Sequence, residues 1–381
     1  MKLRYLLPAA ALVATQASAE VNFNGFATIA GGATLNKDEA LYNYNEDLNY
    51  DNDSLFGLQV TSELDDDLSF TAQLLARGND NWETNVEWAF ISYQASENVK
   101  FQVGKQRGPY YMFTDFVDVG FAYNWVTPPT GVYDLPVGTV TGVNTIITGS
   151  AGPIDSNFQV LVGRNTGTTL LDGVKRPSDV NDLVLIAWTV NYDWLTLRAS
   201  HTNAQISLEI AELQDLLGGW RQTPFANVAD ALEFNKDDAT FSEVGFKMEF
   251  ENFQLLGEMT ELRSDDNFTG DQDSYYVSAA YRVDQVTFHV TYGEDETSND
   301  YSAIDSVRAA VPVGASTSID TLIFLSNGVL DSRLEDASYT TVGLRWDFNP
   351  SAALKIEYTD LTDNQFGADA GLVRVAISTF F

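Results

Sequence analysis

The sequence predicts an all-β fold: a transmembrane antiparallel β-barrel of about 16 strands, with short turns on the periplasmic side and long extracellular loops. Three observations predict it. Apolar and polar residues alternate in runs of about ten along nearly the whole chain, the period of a strand with one apolar and one polar face. Tight polar turns and much longer polar loops alternate between those runs. The last residues, "VRVAISTFF" (373–381), keep the alternation up to Phe381, where most domains let the chain fray.

The first element is a leader. "MKLRYLLPAAALVATQASAE" carries Lys2 and Arg4, an apolar run from Tyr5 to Ala14, and then Ala17-Ser18-Ala19. That run is too short to cross a bilayer, and the small residues before Glu20 suit a signal peptidase. Cleavage after Ala19 is therefore expected, with residues 20–381 forming a single barrel domain. No later stretch approaches the ~20 apolar residues of a membrane helix, so strands must do any spanning. The chain has no cysteine, which excludes disulfides and thiolate metal sites. Its formal charge of −33 becomes −35 once Lys2 and Arg4 leave with the leader, which argues against nucleic acid as a partner.

The strands then follow in order. Outward rows read Phe56, Leu58, Val60 and, across Asp65-Asp66-Asp67, Leu68, Phe70, Ala72, Leu74. "VEWAFISYQA" (86–95) is apolar at both parities, as expected of a strand covered outside by a neighbouring subunit and inside by a loop. Val99, Phe101, Val103 come next, then Phe158, Val160, Val162, and Val184, Ile186, Trp188, Val190, Tyr192. Two-residue turns join the following pairs of rows: Glu251-Asn252 after Val244 to Phe250, and Asp284-Gln285 after Tyr275 to Val283. The final rows are Val342, Leu344, Trp346, Phe348 and, past Asn349-Pro350-Ser351-Ala352, Leu354, Ile356, Tyr358. Closure requires the last strand to pair with the first, "EVNFNGFATIAGGATL", which removes both edges.

The inner rows are polar, for example Ser69, Thr71, Gln73 and Arg77, or Thr341, Gly343, Arg345 and Asp347. Seven cations fall on inward positions: Arg77, Arg198, Lys247, Arg282, Arg345, Lys355 and Arg374. Inward is also the required side, because a charge facing lipid near the midplane costs roughly 2–4 kcal/mol. Pairing with inward acids such as Glu243, Glu258 and Glu357 is the alternative role for each.

Most long loops are acidic. Residues 36–53 and 294–337 read as solvated surface, with divalent-cation bridges to leaflet phosphates as a second reading. "LEIAELQDLLGGW" (208–220) has helical character and a place in or over the mouth. The loop at 107–142, "RGPYYMFTDFVDVGFAYNWVTPPTGVYDLPVGTVTG", differs from the rest. Its rings would form a large apolar patch in water, so it should fold inward and pack Tyr110, Phe113, Phe116, Phe121 and Trp125 on the wall.

Leader, alternating rows, aromatic third loop and terminal phenylalanine together resemble the Gram-negative general porins, over essentially the whole mature chain. "GPYYMFTDFVDVGFAYNWVTPP" is similar to the equivalent loop of porin-like proteins in marine gammaproteobacteria, and departs from the enterobacterial loop in its prolines and aromatics. The resemblance implies an outer-membrane location among lipid and lipopolysaccharide, and a homotrimer. It also implies that the third loop narrows the channel, placing Asp115 and Asp118 opposite the inward cations, and that Phe381 is the signal read by the barrel-assembly machinery.

No chemistry is expected. The chain has two histidines, His201 and His289, no G-x-S-x-G elbow, no phosphate-binding glycine loop and no zinc-spaced ligands, so neither enzyme activity nor a cofactor is indicated. The expected function is a passive channel for ions and small hydrophilic solutes. A substrate-specific channel for a carboxylate or sugar, or a plugged structural or adhesive barrel, are the alternatives. Acidic loops argue for cations at the mouth and inner arginines for anions at the narrowest point.

Overall fold

The computed structural model describes residues 20–135, 137–171, 174–265 and 270–381, without the side chains of 170 and 171. The leader at 1–19, Pro136 and part of the hairpin tip 264–273 lie outside the described residues. Sixteen strands form one closed barrel, each antiparallel to its sequence neighbours, with the last paired to the first. The first eight are β1 (Glu20–Thr34), β2 (Leu55–Asp65), β3 (Leu68–Arg77), β4 (Thr84–Ser96), β5 (Val99–Arg107), β6 (Thr139–Ala151), β7 (Ile154–Leu171) and β8 (Val174–Tyr192). The second eight are β9 (Leu195–Leu208), β10 (Asn235–Phe250), β11 (Phe253–Ser264), β12 (Asp271–Val283), β13 (Val286–Ser298), β14 (Glu335–Asn349), β15 (Ala352–Asp363) and β16 (Ala370–Phe380).

Polarity is turned inside out. In β13 the inward Thr287, His289, Thr291 and Asp295 are buried, whereas the outward Phe288, Val290 and Tyr292 are exposed at 53%, 46% and 43%. Val290 meets Ala279 of β12 and Val342 of β14, so the outward rows merge into one apolar band. Where the rows reach the short turns, rings gather: Trp194 lies 4.5 Å from Phe250 and Trp346 5.6 Å from Phe348, centroid to centroid. The turns are tight because Asp193, Glu251 and Asp284 adopt φ of 51°, 46° and 53°, the left-handed backbone that two-residue hairpins demand.

The seam explains the regular C-terminus. Pairing runs from Phe26 opposite Phe380 to Thr34 opposite Leu372. Beyond it, Phe381 N donates to Gly25 O (2.9 Å) and Gly25 N donates to Phe381 O (2.7 Å), so the last residue extends the ladder. The Phe381 ring covers the outward face of Gly25, where a Cβ would come within 2.2 Å of it.

Two sequence expectations need correction. The doubly apolar strand β4 turns Trp88 inward, opposite Gln73, with a register shift at Leu74 and Val86. Trp88 and Phe90 border an internal cavity, so open space lines the inner face where a covering loop was expected, while the outward Ile91 and Tyr93 stay exposed, at 46% and 50%. The segment 294–337, read as a solvated acidic loop, instead holds two helices, α3 (Ser302–Ala310) and α4 (Thr317–Asp331). They pack on α1 (Gln214–Arg221), which realises the helix expected around 208–220, and on α2 (Asn227–Leu232). Leu217, Trp220, Val228, Val307, Ile323 and Leu330 form their shared core, and Trp220 Nε1 donates to Ser326 Oγ at 2.8 Å. The acids sit on the outer faces: Asp320 pairs with Arg308 at 2.5 Å.

Replacing an outward mid-strand residue with a charge, Val290→Arg, is expected to cost about 2–4 kcal/mol. The inward Gln159→Arg should cost little. Urea titration of folding into lipid vesicles, followed by the heat-modifiable gel band, checks both; equal losses would invert the assigned faces.

Candidate functional site

The segment 108–138 leaves β5, crosses the barrel interior and returns to β6. It is held in two ways. Tyr110, Tyr111, Phe113, Tyr123, Trp125 and Val132 are buried against inward apolar residues of the wall, including Leu161, Leu185, Phe241 and Leu256. Rings meet edge to face, as between Phe113 and Trp125 (5.8 Å) and between Trp125 and Tyr276 (5.5 Å). Phe121 packs on Phe380 at 4.9 Å, and Phe116 on Phe113 at 5.6 Å.

The second hold is polar and comes from the wall. A segment outside the sheet has backbone donors and acceptors that need partners once buried. Arg345 donates to Phe121 O (2.7 Å) and Tyr123 O (2.9 Å), and Lys355 Nζ donates to Gly120 O and Trp125 O. Glu357 accepts from Val126 N (2.8 Å), and Glu258 accepts from Met112 N (2.8 Å), from Tyr276 Oη (2.6 Å) and from Tyr133 Oη. Arg198 donates to Pro109 O, and Ser200 Oγ to Tyr110 O (2.6 Å). Arg374 reaches Thr127 Oγ1 (2.8 Å), Glu357 (3.1 Å) and Asp53 (3.2 Å). Gly120 fits because it has no side chain: a Cβ would sit 2.4 Å from Thr28 Oγ1.

This arrangement revises the picture of seven cations lining an open passage. Arg198, Arg345, Lys355 and Arg374 do point inward, but they are buried beneath the segment and occupied by its carbonyls and by wall acids. Lys247 pairs with Glu249 at 3.0 Å, and Arg282 with Asp347 at 3.4 Å. Of the seven, Arg77 meets one of the two predicted loop acids, donating to Asp118 at 2.9 Å. Asp118 also accepts from Arg107, which in turn contacts Glu87 at 2.5 Å. Arg107 and Glu87 escaped the sequence reading because one ends a strand and the other is the extra residue at the register shift of β4. Burial pushes the Asp118 carboxyl up, but Arg107 and Arg77 outweigh it and hold it below the ordinary 3.8.

With the segment fixed mainly against β8–β16, open space remains on the other side. A cavity of about 660 Å³ runs along β2 and β4–β7, from Arg107 and Asp115 to Glu97 and Asn98 at a short turn. A second, of about 270 Å³, lies toward the long loops between Asn43, Asp53, Arg77, Asp118 and Arg374. The Arg77, Glu87, Arg107, Asp118 cluster stands between the two.

Residues 7–371 match the family model described as Gram-negative porin. The chain belongs to the Gram-negative porin family. Solved structures share the fold at low identity. The outer membrane channel DcaP of Acinetobacter baumannii is 12% identical, covering 96% of this chain and 99% of its own, with a TM-score of 0.60. An anion-selective porin from Comamonas acidovorans is 15% identical, with coverages of 95% and 100% and a TM-score of 0.55. In-vitro folded OmpT of Vibrio cholerae in its trimer form is 14% identical, with coverages of 95% and 99% and a TM-score of 0.56. No curated protein matches the sequence significantly. The barrel is thus an outer-membrane porin, a channel for small solutes, and 108–138 is its inward-folded third loop.

Two outcomes follow for this porin. Lys355→Met strips two loop carbonyls of their donor, each at a cost of about 1–3 kcal/mol, and should speed chymotrypsin cleavage within 110–125 at least about tenfold. An unchanged rate would leave the aromatic packing as the sole anchor. The lowered Asp118 carboxyl contributes stability that is complete above 3.8 and is lost as pH falls through its folded-state value. Current noise should therefore rise as pH drops below about 4, and Asp118→Asn should show that noise already at neutral pH and flatten the dependence.

Proposed function

We propose that this porin is a passive, water-filled diffusion channel for ions and small hydrophilic solutes, acting without chemistry or cofactor. The observation that carries this reading is the lumen of about 660 Å³ left open beside the third loop. The loop fills one side of the barrel and leaves the other to water.

The lumen residues also bear on selectivity. Lys100 and Arg107 face Glu97 and Asp115 along it, close to balance. Of the wall arginines expected to attract anions, Arg374 is paired with Glu357 and Asp53, and Arg345 with Asp347. What remains is the acidic mouth, and it makes the channel weakly cation-selective.

The histidines support a role without catalysis. His201 faces lipid, with Nδ1 2.9 Å from Ser242 Oγ, and its other cross-strand neighbour is Ile186. His289 is buried in the wall near Glu357, at 3.6 Å. A homotrimer embedded in lipid and lipopolysaccharide fits the family and the trimeric OmpT of Vibrio cholerae. The exposed ring of Phe381 at the short-turn rim suits recognition by the barrel-assembly machinery.

Planar-bilayer recording across a tenfold salt gradient tests the reading. Stepwise conductance with a reversal potential of the sign set by cation preference is expected. An anion-signed potential would return the weight to the wall arginines, and silence from correctly folded, heat-modifiable protein would refute the open channel.

A further inference from the structure

The open wall of the lumen has a chemistry of its own. Trp88 and Phe90 lie side by side on the inner face of β4, ring centroids 6.3 Å apart and planes at 44°. Carboxamides surround them: Gln106 of β5, Asn144 of β6, and Asn157 and Gln159 of β7 all border the same cavity. Gln106 and Asn144 are each 3% exposed. Despite that burial, both amide atoms of Gln106, Oδ1 of Asn144, Oδ1 of Asn157 and Nε1 of Trp88 have no hydrogen-bond partner among the described residues. Asn144 Nδ2 donates to Gln159 Oε1 at 3.2 Å, which leaves the Gln159 amide group free to donate onward. Buried groups of this kind carry a desolvation penalty unless something supplies their partners.

We infer that this wall is a binding track for neutral saccharides, an assignment that rests on the channel reading and names its preferred solute. A carboxamide both donates and accepts, as a sugar hydroxyl does, so a row of amides suits a polyol better than an ion. The two rings offer flat apolar surface to the C–H faces of a pyranose. Of the two cations that border the cavity, Arg107 is engaged by Glu87 and Asp118, and Lys100 stands at the short-turn end together with Glu97, so neither presents an anion site beside the rings. The volume, about 660 Å³, lies within the roughly 300–1,000 Å³ typical of sites for small organic ligands.

The test is sucrose titration of the single-channel current, with a polyethylene glycol of matching hydrodynamic radius and with gluconate as comparisons. Saturable block by sucrose, and polyethylene glycol acting only through viscosity, is expected. Trp88→Ala should raise the half-blocking sucrose concentration about fivefold while Trp88→Phe stays near the original value, both checked for the folded heat-modifiable band. Normal salt conductance with sucrose and polyethylene glycol acting alike would overturn the saccharide track and leave the channel reading standing. Tighter block by gluconate than by sucrose would overturn it in favour of anions. Absence of any conductance would sink both.

Discussion

A loop folded into a barrel must find hydrogen-bond partners for a backbone that no strand can satisfy, and the rest of this molecule depends on how that is met. Among the described residues the interior holds no second sheet. The donors and acceptors come from charged side chains on the wall: Lys355 and Arg345 for carbonyls, Glu357 and Glu258 for amides. Each of these charges is itself buried and needs a counter-charge, which is why Arg374 sits between Glu357 and Asp53. Loop backbone, wall charge and the long loop carrying Asp53 form one connected network. A half-satisfied network of this kind is worse than none, so the same residues that fix the loop also tie β14–β16 and the β1–β2 loop to it.

The asymmetry of the interior follows from that constraint. Apolar packing recruits the wall around β8–β12, where inward positions such as Leu183, Leu185, Phe241 and Leu256 break the polar rule of the inner face. Charge pairing recruits β13–β16. Strands β2 and β4–β7 are left to face water, and their inner rows carry amides with few charges. The loop therefore sets the bore and also sorts the chemistry of the wall into a structural half and a transport half.

The barrel could be read from the sequence because a lipid environment imposes period-two alternation on every strand with little room for exceptions, and the register of Val290, Val342 and Phe381 follows from it directly. The inward loop was legible for a related reason: Tyr110, Phe113 and Trp125 are too apolar for water. The work of the inward cations was not. Parity places Lys355 and Arg374 inside the barrel but cannot say whether a loop lies over them, since that depends on contacts more than 200 residues apart in the chain, 235 between Lys355 and Gly120. The helices of 299–334 were missed for a different reason. The scattered acids dominate the composition, while the buried spacing Ile319, Ile323, Ser326, Leu330 that fixes α4 against Trp220 appears only when those four are picked out from the apolar but exposed Phe324 and Leu325.

The separation of the two halves bears on how such a channel sets its preferences. A pore whose charges all lined the passage would change its loop anchorage with every change in selectivity. Here buried cations that hold the loop are paired on the wall, Arg374 with Glu357 and Asp53 and Arg345 with Asp347, and lie under the loop, away from the open lumen. The four charges that do border it, Lys100, Arg107, Glu97 and Asp115, are of both signs, and Arg107 is the member shared with the constriction cluster. Discrimination along β4–β7 then rests on hydrogen-bonding groups and rings, which act at contact distance and are indifferent to salt, while the acidic loops act at longer range and are screened by it. On the proposed reading, mouth and lumen thus select by different physics, one by charge before entry and the other by contact during passage.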